Sequence, residues 1–495
     1  MRRIGHYIDG ARSEGAPGRA GPVFNPASGE QTAEVDFASA AEVDAAVRSA
    51  SQAATTWRAS SLSARAEILF SFRELLHKNR DDIAALVTAE HGKVLSDAAG
   101  EVARGIENVE FACGIPHLLK GGYSEQASRG VDVYSLRQPL GVVAGISPFN
   151  FPAMVPLWMC ANAVACGNSF VLKPSEKDPS PSLLIAELWR QAGLPDGVFT
   201  VVQGDHIAVG RILEHPDIAA VSFVGSTPVA RHVYETGTRN GKRVQALAGA
   251  KNHMVVLPDA DLEMAADAAV SAGYGSAGER CMAISVVVAV GAIGDRLVEA
   301  IAERIPRVKV GPGDDPESQM GPLVTEQHRD RVASYLSEPA LGGAHVVVDG
   351  RNHLPSGKGF FMGPSLVDQV QPGTPVYDDE IFGPVLCVAR ADSYDEAITL
   401  VNSNPWGNGV AIFTRDGGAA RRFQVDVQVG MVGINVPIPV PVSYYSFGGW
   451  RGSLFGDLHM YGPDGINFYT RTKVVTSRWP DPRTSRVDLG FPRTR

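Results

Sequence analysis

From Gly141 to Leu257 the chain repeats one pattern: a short apolar run, a tight loop, then a helix. Val142–Ser147 is apolar and ends in Pro148-Phe149-Asn150-Phe151-Pro152, a stiff turn that holds up an amide. Residues 153–166 read as a helix. Ser169–Leu172 reads as a strand that ends in Lys173-Pro174-Ser175-Glu176. A helix at Pro181–Gln191 and a strand at Val198–Val202 follow. Ala219–Val224 runs straight into Gly225-Ser226-Thr227-Pro228 and a helix, Val229–Thr236. Val244–Leu247 and Met254–Leu257 add two strands. Alternation of this length predicts a parallel α/β sheet. Such sheets bind ligands at the carboxyl ends of their strands. Lys173 with Glu176 offers a cation and an acceptor suited to a ribose or a phosphate. Gly225 and Ser226 open a helix whose N-terminus favours an anion.

Before this block, residues 1–37 read as short strands and turns, and Ala41–Trp57, Ser63–Asn79, Asp81–Glu90 and Asp97–Leu119 as helices. In the last, Val102, Ile106, Val109 and Cys113 form the apolar stripe. Arg104 lies off that stripe, where a charge is ordinarily just solvated. Residues 126–141 and Gly465–Trp479 alternate in polarity, two ribbons suited to pairing with each other or with another subunit.

A second focus is Gly273–Ala283, Gly-Tyr-Gly-Ser-Ala-Gly-Glu-Arg-Cys-Met-Ala. A helix capped by Asp259 or Asp261 leads into it. Gly273, Gly275, Ser276, Ala277 and Gly278 let a backbone or a flat ligand come close. Cys281 follows, with the β-branched run Ile284–Val290 behind it. A free cysteine is most often a small buried hydrophobe. Here Arg280 stands beside it, and a neighbouring guanidinium favours the nucleophilic thiolate.

Several functions are disfavoured. A net charge of −9, with no basic run before the tail, argues against nucleic acid as partner. No apolar run reaches the ~18 residues of a membrane span, and the N-terminus lacks a signal-peptide core. Five scattered cysteines fit a reducing cytoplasm better than a disulfide framework. No spacing of His or Cys suggests a metal site, and no Walker A loop occurs.

Six segments then occur in one order: Phe149-Asn150-Phe151-Pro152, Lys173-Pro174-Ser175-Glu176, Phe223-Val224-Gly225-Ser226, Gly249-Ala250-Lys251-Asn252, Gly278-Glu279-Arg280-Cys281 and Glu380-Ile381-Phe382-Gly383-Pro384. In order and spacing they resemble the NAD(P)-dependent aldehyde dehydrogenases, over about residues 5–478. The resemblance implies a Rossmann-type cofactor domain, a second α/β catalytic domain and a β oligomerisation arm. Cys281 matches the nucleophile, and the Asn150 amide with the Cys281 backbone N–H matches the oxyanion hole. Lys173 and Glu176 match the adenosine-ribose contacts, and the acidic Glu176 suggests NAD rather than NADP. Ser147, Phe149, Lys177, Gly225 and Ser226 match positions lining the dinucleotide. Glu380 and Phe382 match those holding the nicotinamide ribose.

One position departs from the family. Hydrolytic members carry a glutamate four residues before the lysine of this segment, where it activates the deacylating water. Here Gln245-Ala246-Leu247-Ala248-Gly249-Ala250-Lys251 places Leu247 there. Leucine cannot take a proton, so water is a poor nucleophile toward the thioester. A thiol, with a pKa of about 8.5, needs far less help. The missing base points to coenzyme A as acyl acceptor. The alternative is a hydrolytic dehydrogenase releasing a free acid, with another carboxylate such as Glu279 as base.

Gln245–His253 and Gly275–Ala283, with Ile434-Asn-Val-Pro-Ile-Pro-Val-Pro and Gly449-Trp-Arg-Gly-Ser, resemble the CoA-acylating methylmalonate-semialdehyde dehydrogenase subgroup of valine and inositol breakdown. That implies oxidation of methylmalonate or malonate semialdehyde with loss of the carboxylate, giving propionyl-CoA or acetyl-CoA. Arg104 and Arg280 match the subgroup's carboxylate-binding pair, a task for which bidentate arginine is well shaped. The expected division is a cofactor domain at 1–121 and 142–248, a catalytic domain at 249–463, an arm at 122–141 and 464–479, and a tail at 480–495. The family's assemblies imply a homotetramer, with a dimer as the alternative.

Overall fold

A computed structural model describes residues 1–490 except 17, 353, 356, 485 and 488. Two parallel-dominated sheets organise it. In the first, the strands Arg243–Leu247, Ile218–Val224, Val142–Ile146, Ser169–Lys173 and Phe199–Val201 lie side by side and parallel in that order. Val142–Ile146 therefore sits in the middle, and the chain steps away from it in both directions. That reversal opens a crevice beyond the carboxyl ends of Val142–Ile146 and Ile218–Val224. The Phe149–Phe151 turn leaves one of these strands and Gly225-Ser226 leaves the other. The helix between Val142–Ile146 and Ser169–Lys173, Met154–Ala165, is buried on all sides, as a helix apolar all round must be.

The second sheet orders His345–Val348, Ser365–Asp368, Val385–Ala391, Ile284–Val290, Asn252–Val256, Gly409–Phe413 and Met431–Ile434. Its strands are parallel except His345–Val348. This sheet offers the opposite ends to the site: Lys251, Cys281 and Glu380 all precede strands. Of the two capping candidates for the helix Leu262–Tyr274, Asp261 is the cap, accepting from the Met264 N–H at 3.1 Å. Asp259 instead accepts from Thr414 and the Arg415 N–H.

The two ribbons pair with each other. Thr470–Arg478 runs antiparallel to Val131–Pro139, with Thr470 opposite Pro139 and Arg478 opposite Val131. Tyr123–Ser128 completes a three-stranded sheet. The sequence reading of the second ribbon begins too early. Gly462–Phe468 is a helix, with Pro463 in its first turn, and Ile466 and Phe468 are buried. Their apparent alternation is the inward face of a helix packed on Met154–Ala165. Two pieces of the later chain also return to the first sheet's side. Leu454–Phe455 pairs with Arg243–Leu247, and Phe447, Met460 and Tyr461 share a hydrophobic core with Trp158. Of the tail, 485, 488 and 491–495 lie outside the described residues, and Asp481, Pro482 and Arg483 are exposed.

Candidate active site

Cys281 lies between the helix Leu262–Tyr274 and the strand Ile284–Val290, after a single 3₁₀ turn, Gly275–Gly278. Ser276 and Ala277 hold φ of 53° and 51°, left-handed values that cost a residue with a Cβ of order 1–3 kcal/mol. Such strain persists only where the surroundings impose it. A Cβ on Gly278 would lie 2.2 Å from the Gly383 carbonyl oxygen, and one on Gly275 2.5 Å from the Arg280 guanidinium. The small residues thus bring backbone against backbone and make room for an arginine. The Cys281 carbonyl is clamped by two amides: Asn252 donates to it at 2.9 Å and Asn408 at 3.0 Å.

Of the five cysteines, Cys281 alone keeps some exposure; Cys113, Cys160, Cys166 and Cys387 are buried. Burial pushes the Cys281 thiol up to about 12, and the Glu380 carboxylate adds to this. The N–H groups of Cys281 and Met282, and then Arg280, oppose the shift without overcoming it. Arg280 thus favours the thiolate, as its place beside Cys281 suggests, but is outweighed by burial. Its guanidinium turns away to Asp97, donating at 2.6 Å.

Asn150 is buried, and its side-chain amide donates to the Glu279 carbonyl at 3.0 Å. An amide nitrogen carries two hydrogens, so one anchors the group beside the nucleophile and the other is left for a ligand oxygen. The turn itself is pinned from behind. Lys93 donates to the Asn150 carbonyl at 2.6 Å and to Glu101 at 2.7 Å, with both side chains fully buried. Glu101 in turn accepts from the Ala153 and Met154 N–H groups at the start of the next helix.

The predicted cofactor positions surround the crevice. Ser147 has a buried hydroxyl with no partner among the described residues. Phe149 carries the Lys177 ammonium 4.3 Å over its ring and meets Phe382 edge-on at 5.8 Å. Lys173 donates to Glu176 at 3.1 Å. Burial would raise the Glu176 carboxyl, but the Lys173 charge and hydrogen bonds hold it below the usual range. Ser226 precedes the helix Thr227–Arg239 and gives it no side-chain cap, which leaves that N-terminus free for an anion. Glu380 accepts from the Ala250 N–H at 2.9 Å, and burial raises its carboxyl to about 7. Phe382 holds a left-handed φ of 59°. An unpaired hydroxyl, a ribose-suited Lys–Glu pair and an uncapped helix fit a dinucleotide.

Leu247 is buried at the end of its strand, in the same hydrophobic cluster that Cys281 packs against. Glu279, the other carboxylate considered as base, is fully buried and turned elsewhere. It accepts from the Val324 N–H at 3.3 Å and lies 3.6 Å from His328 and 3.7 Å from His91. Burial pushes its carboxyl up to about 8. Arg104 donates to Glu107 and to the Pro441 carbonyl, both at 2.6 Å. The sequence reading missed Lys93, Glu101, Asp97, Asn252 and Asn408. Only Asn252 lay inside a recognised segment, and there without a role. Among the described residues no cluster of His, Cys, Asp or Glu could hold a metal, and no helix is long and apolar enough to cross a membrane.

A strained turn carries the partly exposed Cys281, and the Asn150 amide is anchored to that segment, an arrangement able to do thiol chemistry. Residues 13–475 match the aldehyde dehydrogenase family, and the chain belongs to that family. It is 53% identical over 483 residues to malonate-semialdehyde dehydrogenase of Pseudomonas aeruginosa, covering 97% of each chain. It is 47% identical over 480 residues to malonate-semialdehyde dehydrogenase 2 of Geobacillus kaustophilus, covering 97% of this chain and 99% of that one. Among solved structures, methylmalonate-semialdehyde dehydrogenase of Oceanimonas doudoroffii superposes with a TM-score of 0.96 at 52% identity, covering 98% and 99% of the two chains. A Sinorhizobium meliloti structure complexed with NAD gives the same score, identity and coverage.

Proposed function

We propose that this enzyme oxidises malonate or methylmalonate semialdehyde with NAD and transfers the acyl group to coenzyme A, with loss of the substrate carboxylate. The observation that carries the reading is Leu247, buried at the position matching the deacylating base, together with Glu279, fully buried and accepting from the Val324 N–H. The Cys281 sulfur attacks the aldehyde carbon. The free Asn150 N–H and the Cys281 N–H hold the developing oxyanion, an arrangement worth about 10²–10³ in rate per donor. Ser147, Lys173, Glu176 and Lys177 would hold the dinucleotide with Phe149, Gly225, Ser226, Glu380 and Phe382, and when bound it supplies the hydride acceptor. The acyl group then rests on Cys281 as a thioester. With no carboxylate to deprotonate water, a thiol is the better acceptor.

Arg104 and Arg280 would receive the substrate carboxylate. In the resulting β-carboxy thioester the bond to the carboxylate carbon breaks and CO2 leaves. Its electron pair passes to an enolate held by the same N–H groups, and solvent returns a proton. The exposed edge of the three-stranded sheet supports assembly, for which a homotetramer is the expected state and a dimer the alternative. Five unpaired cysteines agree with a cytoplasmic location.

The test is NADH formation from malonate semialdehyde with and without CoA, the products being identified by mass spectrometry. Acetyl-CoA formed only with CoA supports the reading. Free acid at an equal rate without CoA overturns it in favour of a hydrolytic enzyme.

A further inference from the structure

One face of the helix Leu95–Cys113 carries Asp97, Glu101, Arg104 and Asn108, spaced by four, three and four residues. That spacing stacks them in one row. Glu101 belongs to the support of the Asn150 turn. Two other acids of the helix, Asp97 and Glu107, pair with two arginines. Arg280 donates to Asp97 at 2.6 Å, with the two side chains 23% and 17% exposed. The second Asp97 oxygen is buried and has no hydrogen-bond partner among the described residues. Arg104 donates to Glu107 at 2.6 Å, with exposures of 30% and 39%. Each arginine thus holds an acid of the protein before any substrate arrives, and each still has donors left, because a guanidinium carries five. Room for the Arg280 guanidinium is built in, since only a glycine fits at 275.

We propose that Asp97, and with it Glu107, are positioning residues that keep Arg280 and Arg104 half-neutralised, so that a substrate carboxylate is admitted but not trapped. The inference rests on the decarboxylating reading above and deepens it. A carboxylate that leaves as CO2 loses its charge on the way. A full cationic grip stabilises the carboxylate before the bond breaks more than it stabilises the transition state, and so slows the step. An acid on the far side of each arginine weakens that grip. The two acids also fix the guanidinium planes, leaving the remaining N–H groups preorganised for a second anion.

Asp97→Asn, Asp97→Glu and Glu107→Gln enzymes are assayed with NAD and CoA on malonate semialdehyde and on propanal, which lacks the carboxylate. NADH, CO2 and CoA products are followed. In Asp97→Asn the KM for malonate semialdehyde, divided by that for propanal, falls by about threefold or more, the scale of a partly exposed ion pair. CO2 released per NADH falls to about half, with malonyl-CoA making up the difference. Asp97→Glu returns both toward wild type. Glu107→Gln, altered at a half-exposed position that tolerates change, moves the KM ratio the same way and keeps the proposal testable should Asp97→Asn not fold. A KM ratio that fails to fall, or unchanged CO2 per NADH, overturns the proposal. Absence of CO2 from the wild-type enzyme overturns the decarboxylating reading instead, and the KM ratio alone then decides the role of the two acids.

Discussion

The Asn150 side-chain amide donates to the Glu279 backbone carbonyl across 3.0 Å, joining the turn after one sheet's central strand to the residue two places before the nucleophile. One hydrogen bond thus fixes the Asn150 amide relative to the Cys281 turn. Removing the amide while keeping the backbone intact tests its chemical role. Asn150→Ala is expected to lower kcat for any aldehyde by about 10²–10³, with KM little changed. An equal loss in KM with kcat preserved would show that the amide only binds substrate.

Behind that turn, Lys93 and Glu101 are both fully buried and paired at 2.7 Å. Lys93→Met leaves Glu101 charged and uncompensated, at an expected cost of about 3–5 kcal/mol in urea denaturation. The double variant Lys93→Met with Glu101→Leu recovers only part of this, because Glu101 also accepts from the Ala153 and Met154 N–H groups. A single variant with wild-type stability would mean the pair is not buried as described.

Leu247 decides between the two acyl acceptors. Leu247→Glu is expected to raise CoA-independent release of free acid by about tenfold or more, less than the ~10²–10⁴ of an optimally placed general base. The readout is the acid-to-thioester ratio at limiting CoA. No change would weaken the reading of Leu247 as a missing base.

Glu279 gives a pH dependence with a definite sign. Its carboxyl is raised by burial from an ordinary value of 4.5 to about 8. The folded state therefore holds the proton more tightly than the unfolded state. The stability this confers is complete below about pH 4.5 and is lost as the pH rises through about 8. Glu279→Gln removes that dependence. Urea denaturation of both proteins from pH 5 to 9 is expected to show the difference moving in the variant's favour up to about pH 8 and then levelling. A constant difference across the range would mean the carboxyl is ionised in the folded protein.

The sequence made the first sheet readable because each strand is a short apolar run closed by a loop, and Asn150, Lys173, Glu176, Gly225 and Ser226 all follow such strands. It was less informative about the second half of the site. Lys251, Cys281 and Glu380 precede their strands, so the rule that ligands meet carboxyl ends does not find them; the small-residue turn and the family segments do. Arg280 favours the Cys281 thiolate as adjacency suggests, but adjacency does not show the burial that outweighs it, nor that the guanidinium points to Asp97. Lys93, Asp97, Asn252 and Asn408 act on groups far along the chain. No local spacing marks such contacts. The helix Gly462–Phe468 imitated a ribbon because over so few residues the inward face of a helix and a strand's alternation overlap.

The central claim is that the acyl group waits on Cys281 for a thiol. The most direct measurement is a rapid-mixing experiment with NAD and malonate semialdehyde but no CoA, followed by intact-protein mass spectrometry and then CoA addition. The expected result is a burst of NADH near one per subunit, an acyl adduct on Cys281 that persists, and its discharge as acetyl-CoA when CoA is added. Steady NADH production without CoA, at the rate seen with it and with free acid as product, would contradict the claim.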